Sequence, residues 1–424
     1  MYVVLLSGGS GKRLWPLSND LRSKQYIKLL PNPYDASRQV SMVQRVWKQL
    51  EKAGLARTAV ICAGKSQQEI LQAELGSVHL AVEPERRDTF PAVALSCAYL
   101  ASQMGAKGDD VVCFLPVDPY VDDVYFETLK KLEQVVRSTD ADIVLMGAQP
   151  TYPSSKYGYI LPSHTHEGYI DVAGFKEKPE EREAAELIRK GALWNCGVFC
   201  FKIGLILEKL KEYGAPVSYP DLFNAYGKLP KKSFDYEVLE GARNLKAVPF
   251  HGMWKDLGTW NTLTDEMSTH THGRVIMSEK NENTHAINEL DIPLVVSGMK
   301  DTVVVAAYDG ILVTSKEESA HLKDLLKEFQ QNPMYEEKRW GVVKTIDVTG
   351  EKTAQSITCK YLVHQGMQVT LDDSIRLMVL LEGKGSLDAK ELGKGEAVLF
   401  PGNHEEVFHA LTDCTLLVCG SHQG

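Results

Sequence analysis

The chain has 424 residues, 44% hydrophobic and 24% charged. That balance excludes a disordered or fibrous protein, and at about 100–200 residues per domain it predicts two or three domains rather than one small module. Its 47 Lys and Arg against 56 Asp and Glu give a net charge of -9 with no long run of like charges, which excludes a nucleic-acid stripe and an anionic-membrane anchor. An anionic ligand would need a local site.

From Met1 to Asp265 the chain alternates strand-like and helical segments. Tyr2 to Leu6, Ala59 to Ala63, Val78 to Val82, Val111 to Leu115 and Ile143 to Ala148 read as strands, and such continuous apolar runs suit a sheet buried on both faces. Met42, Val43, Val46, Trp47 and Leu50 have helical spacing, as do Phe126, Leu129 and Leu132. The rhythm predicts an α/β fold with a Rossmann-like, mostly parallel sheet, whose ligand sits outside the carboxyl ends of the strands. This catalytic segment is expected over 1–267.

The polar stretch Ser268 to Asn283 breaks both periodicities and reads as a boundary or loop. A small β-rich module is expected over 268–334: strands Leu294 to Val296, Thr302 to Ala306 and Ile311 to Val313, a turn at Asp309-Gly310, and a helix carrying Leu322, Leu325, Leu326 and Phe329, ended by Asn332-Pro333. From Trp340 onward, short strands between glycine-rich turns predict an all-β domain over 335–424. No apolar run reaches the roughly 18 residues of a membrane span, and Tyr2 to Leu6 is too short for a signal core. Eight cysteines without a C-x-x-C pair read as buried, reduced thiols, so a cytoplasmic protein is expected.

The first chemical signal is Leu6-Ser7-Gly8-Gly9-Ser10-Gly11-Lys12-Arg13, where glycines let backbone N–H groups approach an anion and two basic residues add charge. A Walker A loop fails because Leu6 and Arg13 stand at required positions, and a dinucleotide G-x-G-x-x-G fails at Leu14. By itself the loop reads equally as a bare glycine turn. Its continuation, Leu14-Trp15-Pro16-Leu17-Ser18 and then Ser23-Lys24-Gln25, is more specific. The string GGSGKRLWPLS…SKQ resembles the signature of the sugar-1-phosphate nucleotidyltransferases, and among them the mannose-1-phosphate guanylyltransferases, with Ser23 where the family has proline.

Further segments follow in that family's order. Glu83-Pro84-Glu85-Arg86-Arg87-Asp88-Thr89-Phe90-Pro91 resembles the segment lining the nucleobase, with Asp88 and Phe90 in place of the usual asparagine and alanine; it also reads as the cap of a helix that starts near Pro91. Phe114-Leu115-Pro116-Val117-Asp118 presents a carboxylate at a strand end and resembles L-P-A-D-H, with Pro119 replacing histidine, although an Asp before Pro is also a turn former. Lys255-Asp256-Leu257-Gly258-Thr259-Trp260 resembles the element with the second metal-binding carboxylate. Tyr157-Gly158-Tyr159-Ile160, Phe175-Lys176-Glu177-Lys178-Pro179, Trp194-Asn195-Cys196-Gly197 and Ser233-Phe234-Asp235-Tyr236 resemble the sugar-side segments.

The resemblance implies the following roles. Leu6, Gly8, Gly9, Ser10, Gly11, Lys12, Glu83, Asp88 and Thr89 would bind nucleotide. Arg13, Lys24 and Lys178 would be catalytic charge partners of the phosphates, Gly158, Glu177 and Asn195 would contact the sugar, and Asp118 with Asp256 would hold Mg²⁺, an oxygen-seeking ion. GTP and mannose 1-phosphate are the implied substrates, in a homo-oligomer, a dimer. Other nucleotide and sugar pairs (a heptose or glucose phosphate) and a catalytically silent nucleotide-sugar-binding regulator remain alternatives. In longer relatives the C-terminal module is a metal-dependent cupin isomerase. Here Asp372, Ser374 and Met378 fall on the ligand positions, and Gly395, Pro401, Gly402 and His404 match the second cupin motif only loosely, so a cupin-like domain without metal or isomerase activity is expected. His164-Thr165-His166 and His270-Thr271-His272 read as loop histidines rather than metal pairs.

Overall fold

The computed structural model describes residues 1–8, 12–327, 329, 331–351, 354–388, 390–401 and 405–422. Contacts divide the chain into two units, neither continuous in sequence. The first comprises Met1–Gly9, Asn32–Gln68 and Ser77–Leu257; the second comprises Ser10–Pro31, Glu69–Gly76 and Gly258–Gly424.

The first unit is built on a nine-stranded sheet in the order His79–Glu83, Ala59–Gly64, Tyr2–Leu6, Val111–Pro116, Leu193–Lys202, Ile143–Ala148, Leu245–Phe250, Ile170–Lys176, Tyr159–Thr165. The five expected strands are present. The sheet, however, is mixed rather than mostly parallel. Its first four strands pair in parallel, as do Ile143–Ala148 and Leu245–Phe250, but Leu193–Lys202 runs antiparallel to both of its neighbours in this order, and the last two strands form an antiparallel hairpin. Burial on both faces makes a strand apolar whichever way it runs, so the hydrophobic pattern carries no direction.

Local chemistry accounts for the helices. Met42–Lys52 opens with a capping box in which Ser41 accepts from the Gln44 N–H and the Gln44 side chain returns to Ser41. Thr89–Gln103 is apolar nearly all round and its Val93, Leu95 and Leu100 are fully buried, each contributing about 1.5–3 kcal/mol by leaving water. They join Val4, Val60, Phe114 and Phe201 in one core, and the expected helix over Phe126 to Leu132 spans Val124–Ser138. No helix of the described residues is long and apolar enough to cross a membrane.

In the second unit, Thr271–Gly273, His285–Asn288, Thr302–Ala307 and Gly310–Ser315 form one sheet, and Val275–Met277 pairs with Leu294–Val296. The stretch 268–283 is therefore not a plain loop. Its strands have three residues each, too few to show alternation, and Asn288 braces them by donating to the Arg274 and Ile292 carbonyls at 2.9 and 2.7 Å. His272 lies in one of these strands and His164 in another of the first unit, so neither is a loop residue.

The expected helix through Phe329 is also shorter: a 3-10 turn Glu318–His321 and a single α-turn Leu322–Leu325. Leu322 is buried but Leu325 is 79% exposed, so the apolar set lacks a surface that would extend the helix. From Tyr335 the chain forms a six-stranded and a four-stranded sheet around a shared core that includes Leu371, Met378, Leu380, Phe408 and Leu416.

Candidate active site

In the first unit a cavity of about 500 Å³ opens at the carboxyl ends of the parallel strands. It is lined by Leu6 and Gly8 at the end of Tyr2–Leu6, by Glu83, Arg86, Arg87, Asp88 and Thr89 at the end of His79–Glu83 and just beyond it, and by Pro116 and Asp118 at the end of Val111–Pro116. Gly9, Ser10, Gly11, Gly402 and His404 lie outside the described residues, and the Lys12 side chain is not described either.

The nucleobase-like segment is held under strain. Asp88 has φ 71° and ψ −175°, a backbone region that in practice only glycine occupies comfortably, at about 1–3 kcal/mol for another residue. Its carboxylate accepts from the Thr89 N–H at 2.8 Å and caps the helix, as the capping reading anticipates. The helix end is partly used already, because the Phe90 N–H donates to the Lys232 carbonyl and Thr89 Oγ1 accepts from the Phe234 N–H. Phe90 is fully buried and does not line the cavity, whereas Asp88 does. Glu83 is buried and accepts from the Tyr226 hydroxyl at 2.5 Å; burial pushes its pKa upward, opposed by that hydrogen bond.

The two metal-candidate carboxylates sit on paired segments. Trp254–Asp256 runs antiparallel to Pro119–Val121 with Asp256 opposite Pro119, the residue that follows Asp118. Pro119 is buried and serves as the ladder partner of Asp256. Asp118 and Asp256 offer the oxygen-only donor chemistry that Mg²⁺ prefers and would be the residues to hold it. Among the described residues no group of three or more His, Cys, Asp or Glu is arranged to hold a metal ion.

The sugar-side residues also converge. A Cβ at Gly158 would come within 2.5 Å of Glu177 Oε2 and 2.8 Å of the Phe175 ring, so any larger residue must displace Glu177, Phe175 or both. The Gly158 carbonyl accepts from the Asn195 N–H at 2.8 Å. Glu177 pairs with Lys178, which has φ 45°, and Asn195 Nδ2 donates to Asp235 at 3.3 Å. Burial, followed by the charge of Glu177, pushes the Asp235 carboxyl up to about 7. Asp235, Arg86 and Arg87 are cavity residues that sequence reasoning did not select, although each lies in a segment matched for its neighbours. Arg13 and Lys24 belong to the second unit, Arg13 exposed and Lys24 half-buried.

A cavity at the strand ends, lined by Gly8, Arg86, Arg87 and Asp118, defines a nucleotide-handling α/β enzyme. Residues 2–273 match the family described as Nucleotidyl transferase, and this chain belongs to that family and is an enzyme. It is similar to the mannose-1-phosphate guanylyltransferase of Escherichia coli, 28% identical across 95% of this chain and 90% of that one. The alginate biosynthesis protein AlgA of Pseudomonas putida is 29% identical across 85% of this chain and 79% of its own length. The crystal structure of a mannose-1-phosphate geranyltransferase from Thermus thermophilus superposes with a TM-score of 0.62 at 27% identity, covering 78% of this chain and 99% of that one.

Proposed function

We propose that this enzyme transfers the guanylyl group of GTP to mannose 1-phosphate, giving GDP-mannose and pyrophosphate. The reading is carried by the match to the Escherichia coli guanylyltransferase over nine-tenths or more of both chains. A sugar-phosphate oxygen attacks the α-phosphorus, and the bond from that phosphorus to the bridging oxygen of pyrophosphate breaks. A phosphate monoester, with a second pKa near 6, is already mostly dianionic at neutral pH, so no general base is required. The protein's work is alignment and charge neutralisation.

On this reading Asp118 and Asp256 hold Mg²⁺, which when bound neutralises phosphate oxygens. Arg13 and Lys24 act as charge partners of the triphosphate, and Lys12 and residues 8–11 take part in nucleotide binding. Glu83, Asp88 and Thr89 flank the nucleoside. Lys178 holds the sugar phosphate, Glu177 and Asn195 take sugar hydroxyls, and Gly158 leaves room for the ring. The catalytic segment is 1–267, followed by a module over 268–334 and a cupin-like domain over 335–424 that lacks metal and isomerase activity; burial of Met378 in that domain's core supports a packing role there. The active form is a dimer in the cytoplasm, a setting with which eight unbridged cysteines agree.

The test is pyrophosphate release with Mg²⁺ across GTP, ATP, CTP, UTP and dTTP, each crossed with mannose, glucose, fucose and heptose 1-phosphates. Turnover confined to GTP with mannose 1-phosphate is expected. Preference for another pair would assign the enzyme to that pair and point to Asp88, the departure that reaches the cavity.

A further inference from the structure

Lys24 stands on a 3-10 turn, Lys24–Tyr26, whose neighbours Ser23, Gln25 and Tyr26 are each at most 2% exposed. The turn is flanked by two anchored cations. Arg22, 3% exposed, is bidentate to Glu289, with Nη1 to Oε2 at 2.8 Å and Nη2 to Oε1 at 3.0 Å. Its Nε lies 3.2 Å from Glu337 Oε1, an ion-pair contact off hydrogen-bond alignment, and its guanidinium sits 4.8 Å from the Tyr335 ring centre. On the other side, Lys28 Nζ lies 2.8 Å from the second oxygen of Glu337 and 3.3 Å from the buried Glu74.

Glu337 therefore ties together the residues on both sides of the turn. Upstream, Asn19 donates to Asp309 at 2.7 Å and to the Tyr335 carbonyl at 3.1 Å, and accepts from the Arg22 N–H at 2.6 Å. These partners come from the 268–334 segment and from the first strand of the C-terminal sheets, Tyr335–Lys338. Taking the Arg22 guanidinium and the Glu337 and Glu74 carboxylates out of water is not repaid in stability relative to apolar packing, whereas one arrangement of fixed charges does define one backbone path.

We infer that Arg22 is a positioning residue: clamped by Glu289 and Glu337, it fixes the turn that carries Lys24, so the strand Tyr335–Lys338 contributes to nucleotidyl transfer without contacting a reactant. The inference rests on the reading of Lys24 as a charge partner of the triphosphate.

A double-mutant cycle on the full chain tests it, using pyrophosphate release and varying GTP and sugar phosphate separately. Arg22→Gln is expected to lower kcat/KM for GTP by about tenfold or more, with the KM for sugar phosphate within about twofold. In a Lys24→Ala background the same change should cost less than about twofold, because the group being positioned is gone. An equal loss in both backgrounds, or no loss in the parent, overturns the inference. If Arg22→Gln does not fold, Glu337→Gln goes through the same cycle and is judged by the same outcomes. Lys24→Ala with undiminished turnover would instead remove the premise, a result visible in the single variant alone.

Discussion

The cavity of the first unit and the Trp15–Lys28 segment of the second are specified by opposite means. Around the cavity, side chains project from the ends of strands whose interiors are wholly apolar, so the frame is set by packing and the polar groups are added at its rim. The Trp15–Lys28 segment has little regular structure, and its path is set by hydrogen bonds and buried ion pairs to residues hundreds of positions away. The first arrangement tolerates polar substitution at the rim and answers in activity. The second answers in stability and in the placement of one residue.

Four experiments can break or sharpen that contrast. Asp256→Ala should reduce Mg²⁺-dependent turnover by about a thousandfold or more, roughly 4 kcal/mol of transition-state stabilisation, with a melting temperature close to the parent's. Retained turnover would show that the role of Asp256 is structural. In the other region, Arg22→Leu should destabilise the protein by about 3 kcal/mol in urea unfolding, since it removes the cation that faces the buried Glu337 and the half-buried Glu289. Replacing Arg22, Glu289 and Glu337 together by Met and Leu should recover most of that loss; a triple variant as unstable as the single one would mean that the network is a net source of stability.

On the sugar side a smaller effect on activity is expected. Gly158→Ala should raise the KM for sugar phosphate by about tenfold while leaving the KM for nucleotide near the parent value, because the added methyl displaces Glu177. Equal rises in both constants would point to a general distortion. Asp235 gives a pH signature. Its folded pKa of about 7 lies above the unfolded value, so between pH 4 and 7 the native state holds the extra proton and stability falls as pH rises. Asp235→Asn should flatten that slope, gaining several kcal/mol (up to about 4) at pH 8 and clearly less at pH 5 in parallel unfolding curves. An unchanged slope would place the titration elsewhere.

How much of this was legible depends on how local each signal is. Asp118 could be placed beside the cavity because it follows the apolar run Val111 to Val117, the local mark of a buried strand, and the Asp88 cap because it precedes a helical apolar set. Asp235 was within reach through its segment but not through its chemistry, since its raised pKa comes from burial and from Glu177, which another strand region supplies. The three-residue strands of 271–277 and the shortened helix at 322–325 failed for a different reason: short segments take their structure from what they pair with or are denied.

Arg22 marks the boundary most clearly. In Asn19-Asp20-Leu21-Arg22-Ser23 it has the appearance of a solvated loop residue, and the carboxylate that buries it lies 267 positions away. By itself the sequence determined the apolar strands and helices of an α/β enzyme, the family signature, and the residue types available for phosphate and metal chemistry, because propensity, periodicity and motif spacing are local. Strand direction, the pairing of Trp254–Asp256 with Pro119–Val121, the meeting of Gly158, Glu177, Asn195 and Asp235, and the burial of Arg22 were decided only by tertiary structure. Register, dielectric environment and ion pairing depend on which distant segments come together.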